Sequence, residues 1–277
     1  MPRLVKDSPP RTRRTRRTVG RLSVSSDEPT AVSTVVNVVG RNLAHVRDEI
    51  VACTLCPRLR DYCQRVAKEK KRAFRDEIYW GKPVPGFGDA KARLLLIGLA
   101  PAAHGANRTG RVFTGDGIGA SGDFLMAALH RAGFSNLATS QHPDDGLKLT
   151  DAFIAAAVRC APPDNKPTPE EIARCLPHLD AEIAALPRVQ VVVALGRIAF
   201  DAYLQLLKTR GLATRPRPQF GHASMARLAN GQILIGCYHP SRQNTNTGKL
   251  TAAMMDDVFR KSRRALSRNL RRPPVSN

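Results

Sequence analysis

Four short apolar runs divide the middle of the chain, and turn-forming or charged residues bound each of them. They lie at 93–98, 152–158, 189–195 and 232–237. Continuous apolar runs of this length are typical of strands that are covered on both faces, as in a parallel sheet. A loop and then an amphipathic stretch follow each run. The alternation predicts an α/β fold, a three-layer α/β/α sandwich around a four-stranded parallel sheet.

The spacing of polar and apolar residues around these runs predicts six helices. They span 42–52, 57–71, 119–132, 169–185, 196–208 and 249–266. The clearest boundary is the start of the fourth helix, where Thr168 can cap, Pro169 suits the first position and Glu171 can complete a capping box. Together the strands and helices predict one domain over 41–266.

The formal charge of +21 is concentrated at the two ends of the chain. Residues 1–22 contain eight Lys or Arg and one Asp, and residues 260–277 contain seven Lys or Arg and no acid. Both ends are poor in apolar residues, which predicts a disordered basic arm over 1–40 and a basic tail over 267–277. This charge suits a polyanionic partner, because each cation placed on a phosphate releases a counterion. Basic tails can also serve only to keep a protein soluble.

The composition indicates a reducing compartment. The chain has no apolar run of roughly 18 residues and no secretory signal, so we expect no membrane association. Six cysteines without a signal peptide favour free thiols and metal binding over disulfide bonds. We expect a cytoplasmic, nucleoid-associated monomer.

Four cysteines in two separated pairs suit a metal centre. Cys53 and Cys56 have the C-x-x-C spacing that lets two thiolates converge, and Cys160 and Cys175 flank a proline-rich loop that enters the fourth helix. A metal held by all four would tie the N-terminal segment to the core. The spacing alone fits either zinc or an iron–sulfur cluster. The two remaining cysteines, at 63 and 237, are expected to be small buried hydrophobic residues.

In an open parallel sheet the ligand site lies beyond the carboxyl ends of the strands. The loops after residues 98, 158 and 237 carry polar and charged groups, whereas the loop after residue 195 offers only Gly-Arg. The glycine-rich stretch over 105–119 could cradle a phosphate through its backbone. However, no Gly-Lys-Ser/Thr follows it, and no G-x-G-x-x-G fingerprint precedes a suitably placed acidic residue. A nucleotide-dependent enzyme is therefore disfavoured.

Three loop motifs occur in a fixed order together with the four cysteines. They are Gly98-Leu99-Ala100-Pro101 running to Phe113-Thr114-Gly115-Asp116, Cys160-Ala161-Pro162-Pro163-Asp164-Asn165-Lys166-Pro167, and His239-Pro240-Ser241-Arg242-Gln243-Asn244. On these motifs the chain resembles the family 5 (type B) uracil-DNA glycosylases, the iron–sulfur branch of that superfamily, over roughly 45–262.

The resemblance implies a [4Fe–4S] cluster on Cys53, Cys56, Cys160 and Cys175. It implies a monofunctional glycosylase of base excision repair that flips uracil, and other deaminated bases such as hypoxanthine, out of DNA. Hydrolysis of the N-glycosidic bond then leaves an abasic site. A lyase would need an amine, for which Lys166 is the nearest candidate by sequence. The alternative is a non-catalytic, cluster-bearing protein that binds nucleic acid or senses redox state.

Breaking a C1′–N bond requires charge to be stabilised on the sugar and on the departing base. His239 is a candidate donor to the pyrimidine O2, as in oxyanion-type sites. Asp116 is a candidate for contact with the sugar or the attacking water. The structural alternatives are a histidine that satisfies its own loop and an aspartate that caps a helix. The remaining histidines, at 104, 142, 178 and 222, are expected to be structural or on the surface.

Five further residues are candidates for binding the substrate, on the motif matches: Gly98, Ala100, Phe113, Asn165 and Asn244. Phe113 could stack on an extruded base, and Asn165 could hydrogen-bond it or form an Asx-turn. Asn244 could contact DNA or fix its loop.

Two features of these loops bear on which bases fit and how the duplex is held. Superfamily relatives carry a polar group where this chain has Leu99 and Ala100, which predicts a permissive pocket. Arg242 and Gln243, at the tip of the third loop, could fill the gap left in the duplex.

Overall fold

The computed structural model describes residues 42–269, with side chains to 267. The predicted basic arm over 1–40 lies outside the described residues, as does the end of the predicted C-terminal tail. The predicted domain lies almost wholly within them. Its last helix continues to Asn269, beyond the boundary at 266 that the sequence indicated.

A six-stranded mixed sheet forms the centre of the molecule. The strands are β1 (Phe87–Gly88), β2 (Leu94–Gly98), β3 (Ala152–Ala156), β4 (Val191–Leu195), β5 (Met225–Arg227) and β6 (Ile233–Cys237), in the order β1-β3-β2-β4-β6-β5. The four inner strands are parallel and match the predicted runs. The two edge strands are antiparallel to their neighbours.

The edge strands were not predicted because they are only two and three residues long and carry no buried apolar run. The fold class is confirmed, with a four-stranded parallel centre inside a larger mixed sheet. Short antiparallel edges of this kind are common on otherwise parallel sheets.

The helices of the described residues include all six that the sequence predicted. They are α1 (Leu43–Val51), α2 (Pro57–Glu69), α3 (Ala106–Thr109), α4 (Ser121–Arg131), α5 (Pro169–Ala184), α6 (Arg197–Thr209), α7 (Arg242–Asn246) and α8 (Ala252–Asn269). Short 3₁₀ turns occur at Arg72–Phe74 and Pro163–Asn165. The two one-turn helices α3 and α7 were not predicted, because they are too short to show an amphipathic period.

The capping box at the start of α5 forms as predicted. The Oγ1 of Thr168 accepts the Glu171 backbone N–H at 3.2 Å, and Oε2 of Glu171 accepts the Thr168 backbone N–H at 2.8 Å. Glu171 also forms a 2.7 Å ion pair with Arg58 of α2. This pair holds the C-x-x-C segment, which immediately precedes α2, against the start of α5.

The strands alternate between two cores, one on each face of the sheet. Leu94 and Leu96 of β2 pack with residues of α4 and α8, whereas Leu95 and Ile97 pack with residues of α5 and α6. All four side chains are fully buried. The sheet is therefore covered on both sides, and the loops at the carboxyl ends of its inner strands remain available to form a site.

Within residues 42–269, none of the helices has the length and apolar character needed to cross a bilayer.

Candidate active site and cysteine cavity

Phe113, from the first loop motif, lies beside the third loop motif. Its ring is 6.0 Å from the ring of His239, centroid to centroid, with the planes 30° apart. A Cβ on Gly98 would lie 3.0 Å from Cε2 of Phe113, so the glycine at the end of β2 makes room for the aromatic ring. The structure thus brings together Gly98, Phe113 and His239, three of the residues that the sequence singled out.

The backbone of Phe113 is held in an unusual conformation. Its φ of 51° is in the left-handed region, which costs a bulky residue about 1–3 kcal/mol. The carbonyl of Phe113 packs against Gly122 of α4, where a Cβ would lie 2.3 Å away. Strain of this kind persists only where the surroundings impose it, and it is concentrated at functional sites.

Asp116 is partly buried in a space that a glycine provides. A Cβ on Gly105 would lie only 1.6 Å from Oδ1 of Asp116. That oxygen is buried and accepts no hydrogen bond from any described residue. Burial raises the pKa of Asp116 to about 6, although the nearby Arg108 and Arg242 oppose the shift. Helix α4 begins at Ser121, with Ala120 as its cap residue, so Asp116 is not the helix cap of the alternative hypothesis.

Arg108, which sequence reasoning missed, fixes the position of the Asp116 loop. Only 4 % of its surface is exposed, and its guanidinium donates to the carbonyls of Gly115 at 2.7 Å and His104 at 2.9 Å and also pairs with Glu77. The guanidinium also lies 3.9 Å from the centroid of the Phe74 ring. The sequence shows this residue only as one arginine among many, with no motif to indicate its burial.

A second buried arginine supports the same loop from the other side. Arg111 donates to Oγ1 of Thr114 at 2.8 Å and to Oδ2 of Asp145 at 2.6 Å. Thr114 is in turn 2.7 Å from the hydroxyl of Ser140. The stretch between Phe113 and Asp116 is therefore pinned by charged hydrogen bonds, which makes the geometry of both residues rigid.

His239 is the neutral imidazole of the site. Burial lowers its pKa to about 4, so it carries no charge near neutral pH. Its backbone carbonyl accepts a 2.8 Å hydrogen bond from Nδ2 of Asn244. The hydroxyl of Ser241 caps the short helix α7 that carries Asn244. This hydrogen bond holds the loop, and contact between Asn244 and DNA stays a prediction.

A cavity of about 420 Å³ opens beside His239. Its walls combine aromatic and basic side chains from the segments that follow β4, precede β5 and follow β6: Gly196, Arg197, Phe220, Gly221, Tyr238, His239, Asn244 and Lys249. The loop after residue 195, which looked bare in the sequence, therefore contributes to the site. Phe113 and Asp116 do not line this cavity, which differs from the single pocket that the sequence suggested. His239 lines the cavity, and its ring also lies beside that of Phe113.

His222 supports the wall of this cavity through two contacts with the backbone. The amide of Tyr238 donates to Nδ1 of His222 at 3.2 Å, so the proton of the neutral ring lies on Nε2, 3.3 Å from the carbonyl of Met254. Burial lowers the pKa of His222, which favours this neutral form. The structural role expected for His222 is confirmed. Lys249 lies 5.4 Å from the centroid of the Tyr238 ring.

Asn165 and Ala100 are placed less directly. Asn165 is exposed, has a φ of 57°, and forms no side-chain hydrogen bond with the described residues, so the Asx-turn alternative is not seen. Ala100 packs beside the buried cysteines rather than against Phe113. The structure does not join either residue to the Phe113–His239 pair.

The exposed tip nearest Asp116 is an isoleucine. Ile118 is 89 % exposed and lies between Gly117 and Gly119, whose φ values are 102° and 66°. The guanidinium of Arg242 reaches across from the third loop to 3.5 Å from the Ile118 carbonyl. Arg242 and Gln243, the pair that the sequence indicated as protruding, are both exposed. Arg242 also contacts a neighbouring apolar tip that sequence reasoning missed.

The four cysteines of the two pairs line one cavity, together with Arg60, Arg159, Arg174, His178 and apolar residues. Cys160 and Cys175 are buried, and Cys53 and Cys56 are partly buried. Burial raises the pKa of Cys56, and neighbouring Cys160 and Cys53 raise it further. Among the described residues, no three His, Cys, Asp or Glu side chains converge closely enough to hold one metal ion.

Buried nitrogen atoms without partners surround the same cavity. Of the described residues, seven buried side-chain polar atoms lack a hydrogen bond, and four of these belong to residues that line it: Nη1 of Arg60, Nε and Nη1 of Arg159, and Nε2 of His178. The backbone N–H of Arg159 also donates to the sulfur of Cys175 at 3.2 Å. Thiols ringed by unused donors fit an anionic, thiolate-bound group that accepts hydrogen bonds at sulfur.

Comparison with known proteins identifies the family of this chain. A family model described as the uracil DNA glycosylase superfamily matches residues 85–263. The type-5 uracil-DNA glycosylase of Mycobacterium leprae is 50 % identical over 80 % of this chain and 95 % of its own length. That of Thermus thermophilus is 52 % identical over 78 % of this chain and 94 % of its own length. A type-4 uracil-DNA glycosylase of Pyrobaculum aerophilum is 33 % identical over 59 % of this chain and 74 % of its own length.

The loops that carry the candidate site gather at the carboxyl ends of the inner strands. The protein is therefore an α/β domain with its site in a crevice beyond the strand ends. The chain belongs to the uracil DNA glycosylase superfamily, in its type-5 branch.

Proposed function

We propose that this chain is a DNA glycosylase of base excision repair that hydrolyses the N-glycosidic bond of uracil in DNA and leaves an abasic site. One relationship in the structure carries the proposal. The Phe113 ring, the neutral His239 and the buried, unpaired carboxylate oxygen of Asp116 stand on two adjoining loops. Such a set provides a stacking surface, a neutral donor and an anion, which are the groups that base excision needs.

The chemistry divides between the two loops. Phe113 stacks on the extruded base, and His239 donates a hydrogen bond to the pyrimidine O2 as the C1′–N1 bond breaks and its electrons move to the base. Asp116 stabilises the positive charge that develops on the sugar. The oxygen of a water molecule bonds to C1′, and its proton passes to the Asp116 carboxylate. The departing base is then protonated from solvent.

The protonation states support these roles. A pKa of about 6 leaves Asp116 mostly ionised near neutral pH yet basic enough to take a proton. A pKa of about 4 keeps His239 neutral near pH 7, where its imidazole still has one ring N–H to donate. The proposed hydrolysis needs no lysine nucleophile, and Lys166 is exposed on a different loop.

The cavity beside His239 suits the DNA backbone. Arg197 and Lys249 supply positive charge, and each lies over an aromatic ring, of Phe220 at 5.3 Å and of Tyr238 at 5.4 Å. Phosphates bind to such groups without sequence preference. We infer that the strand carrying the damaged base runs along this wall, and that Ile118 enters the gap left in the base stack.

The range of bases is inferred from the two residues that follow Gly98. At the carboxyl end of β2, Leu99 and Ala100 offer no side-chain hydrogen bond to select one base edge. A site without such groups excludes few analogues, because nothing is left unpaired when the wrong base enters. Hypoxanthine is therefore expected as a second substrate, with Asn165 as the residue that contacts the extruded base.

The cysteine cavity supports a [4Fe–4S] cluster on Cys53, Cys56, Cys160 and Cys175. The four thiols line one shared cavity, and unused donors line it as well. When bound, the cluster would cross-link the segment before α2 to α5 and to the loop after β3. Glycosidic hydrolysis needs no electron transfer, so its role there is structural.

Oligonucleotides containing uracil or hypoxanthine test the proposal. The wild-type protein should release both bases and leave sites that alkali cleaves. His239→Ala and Asp116→Ala should each reduce the rate by roughly 10²-fold or more while DNA affinity is kept. A non-catalytic binding protein would bind the same DNA and release no base. That outcome, from a metal-loaded preparation, would overturn the proposal.

A further inference from the structure

We propose that Arg60, Arg159 and His178 form a set of hydrogen-bond donors that faces the metal cluster and sets its reduction potential. This inference rests on the [4Fe–4S] site proposed above. The three residues come from α2, from the loop after β3 and from α5, and all three line the cysteine cavity.

Arg159 is held so that two of its nitrogen atoms stay unused. Its Nη2 forms a 2.6 Å ion pair with Glu182, and both side chains are almost wholly buried, at 1 % and 2 % exposed. Glu182 is itself fixed by the backbone N–H of Gly86 at 2.7 Å. Nε and Nη1 of Arg159 have no partner among the described residues. A buried donor left unpaired costs about 1–3 kcal/mol, so two on one guanidinium indicate a missing acceptor.

Arg60 and His178 complete the arrangement from two helices. Arg60 uses Nη2 to donate to the carbonyl of Gly81 at 3.1 Å, which leaves Nη1 buried and unused. His178 follows Cys175 by three residues on α5, so both side chains lie on the same face of that helix. Its Nε2 is also buried without a partner in the described structure.

The expected effect follows from charge. A cluster bound by four thiolates is an anion, and reduction by one electron makes it more negative. Hydrogen bonds to its sulfur atoms and nearby positive charges stabilise the reduced form more than the oxidised form. Removing one of these donors should therefore lower the reduction potential. A tenfold change in the redox equilibrium corresponds to about 59 mV for a one-electron couple.

The test compares iron-loaded, full-length variants by protein-film voltammetry. Arg60→Met removes a donor and a charge, and His178→Phe removes a donor from a ring of similar shape. Arg159→Met is made together with Glu182→Gln, so that no buried carboxylate is left unpaired. Arg65→Met is the matched control, because Arg65 is on α2, is exposed and does not line the cavity. Iron content and the absorbance at about 400 nm confirm loading in each sample.

We expect Arg60→Met to shift the redox equilibrium at least tenfold toward the oxidised form, His178→Phe to shift it less, and Arg65→Met to leave it unchanged. Resonance Raman spectra provide a second readout, since loss of a hydrogen bond to sulfur changes the Fe–S stretching frequencies. If the iron-loaded Arg60 and His178 variants match the wild type in both measurements, this inference is overturned and the cluster assignment is kept. A wild type that binds no iron would overturn the cluster itself, and this inference with it.

Discussion

A Cβ atom on Gly105 would lie 1.6 Å from Oδ1 of Asp116, so the carboxylate occupies the space that any larger residue at 105 would fill. The same Cβ would lie 2.8 Å from Cγ of Asp116 and 3.3 Å from Cβ of Ala102. The steric need for glycine at this position therefore comes mainly from the carboxylate. The loop after β2 is built around Asp116, which links the one-turn helix α3 directly to the proposed chemistry.

Gly105→Ala should displace the Asp116 carboxylate and reduce uracil excision by roughly 10²-fold, because misplacement of a reacting group by about 1 Å has an effect of that size. Single-turnover rates on a uracil-containing duplex measure it. The matched background is Asp116→Ala, in which the clash is gone. There, Gly105→Ala should lower the rate far less than it does in the wild-type background. Equal losses in both backgrounds would show that Gly105 acts through something other than Asp116.

The acid limb of the pH–rate profile should belong to Asp116. Its pKa of about 6 predicts that single-turnover activity falls below that pH, by about tenfold per unit, as the carboxylate takes a proton. His239, with a pKa of about 4, stays neutral across the same range. The limb should therefore persist in His239→Gln, at a lower rate, and disappear in Asp116→Asn. A limb that moves with the histidine substitution would reverse the two assignments.

The same raised pKa makes a separate prediction for stability. Folded Asp116 binds a proton more readily than the unfolded chain does, so the slope of unfolding free energy with pH is negative between about 4 and 6. Its contribution favours folding as the pH falls through that window. Asp116→Asn should remove this pH-dependent contribution. The unfolding free energy of the variant minus that of the wild type should therefore fall as the pH is lowered from about 7 to about 4. A difference that is constant with pH would contradict the shift.

The strands and long helices could be predicted because each has a strong apolar signal. Continuous runs such as that containing Leu94 mark buried strands, and Thr168 and Glu171 mark a helix start through local hydrogen bonds alone. The edge strands were missed because they are only two and three residues long and carry no buried apolar run, and β1 also pairs with β3, which lies far along the chain. Local pattern carries no information about such pairing.

The parts of the site that lie in sequence motifs could be predicted. The residues that hold those loops in place could not, because the fold brings them there. The loops of Asp116 and His239 stood out by their composition. Nothing in the sequence showed that Arg108 would be buried beneath one of them, or that the Gly196 loop would line the cavity beside the other. These roles depend on which segments the sheet brings together.

Loss of the metal should loosen the segment before α2 and the start of α5 together. A link between Cys53 and Cys160 closes a long stretch of chain, and cross-links of such loops typically stabilise by about 2–5 kcal/mol. Cys175→Ser should therefore lower iron content and melting temperature, with faster hydrogen exchange around Cys56 and in α5. Cys237→Ala is the control, because Cys237 is buried in the core formed with α4 and α8 and does not line the cysteine cavity. That variant should keep its iron. Full iron content in Cys175→Ser would remove this cysteine from the ligand set.

Ile118 should matter for duplex DNA and not for single strands. Its side chain is 89 % exposed between two glycines, beside the proposed catalytic carboxylate, and Arg242 braces the loop. Burying an isoleucine in a gap of the base stack contributes about 1.5–3 kcal/mol, or roughly ten- to 100-fold in rate. Ile118→Ser should lower excision from a duplex by that factor and leave single-strand excision within about twofold of wild type.

The control for this prediction is Ile78→Ser, which removes an equally exposed isoleucine, at 94 %, from the loop that Glu77 ties to Arg108. It should leave both rates unchanged. Because a mismatched uracil is already partly unstacked, the effect of Ile118→Ser should also be smaller opposite guanine than opposite adenine. Equal losses on single and double strands would mean that Ile118 acts on the shape of the Asp116 loop instead of on the duplex.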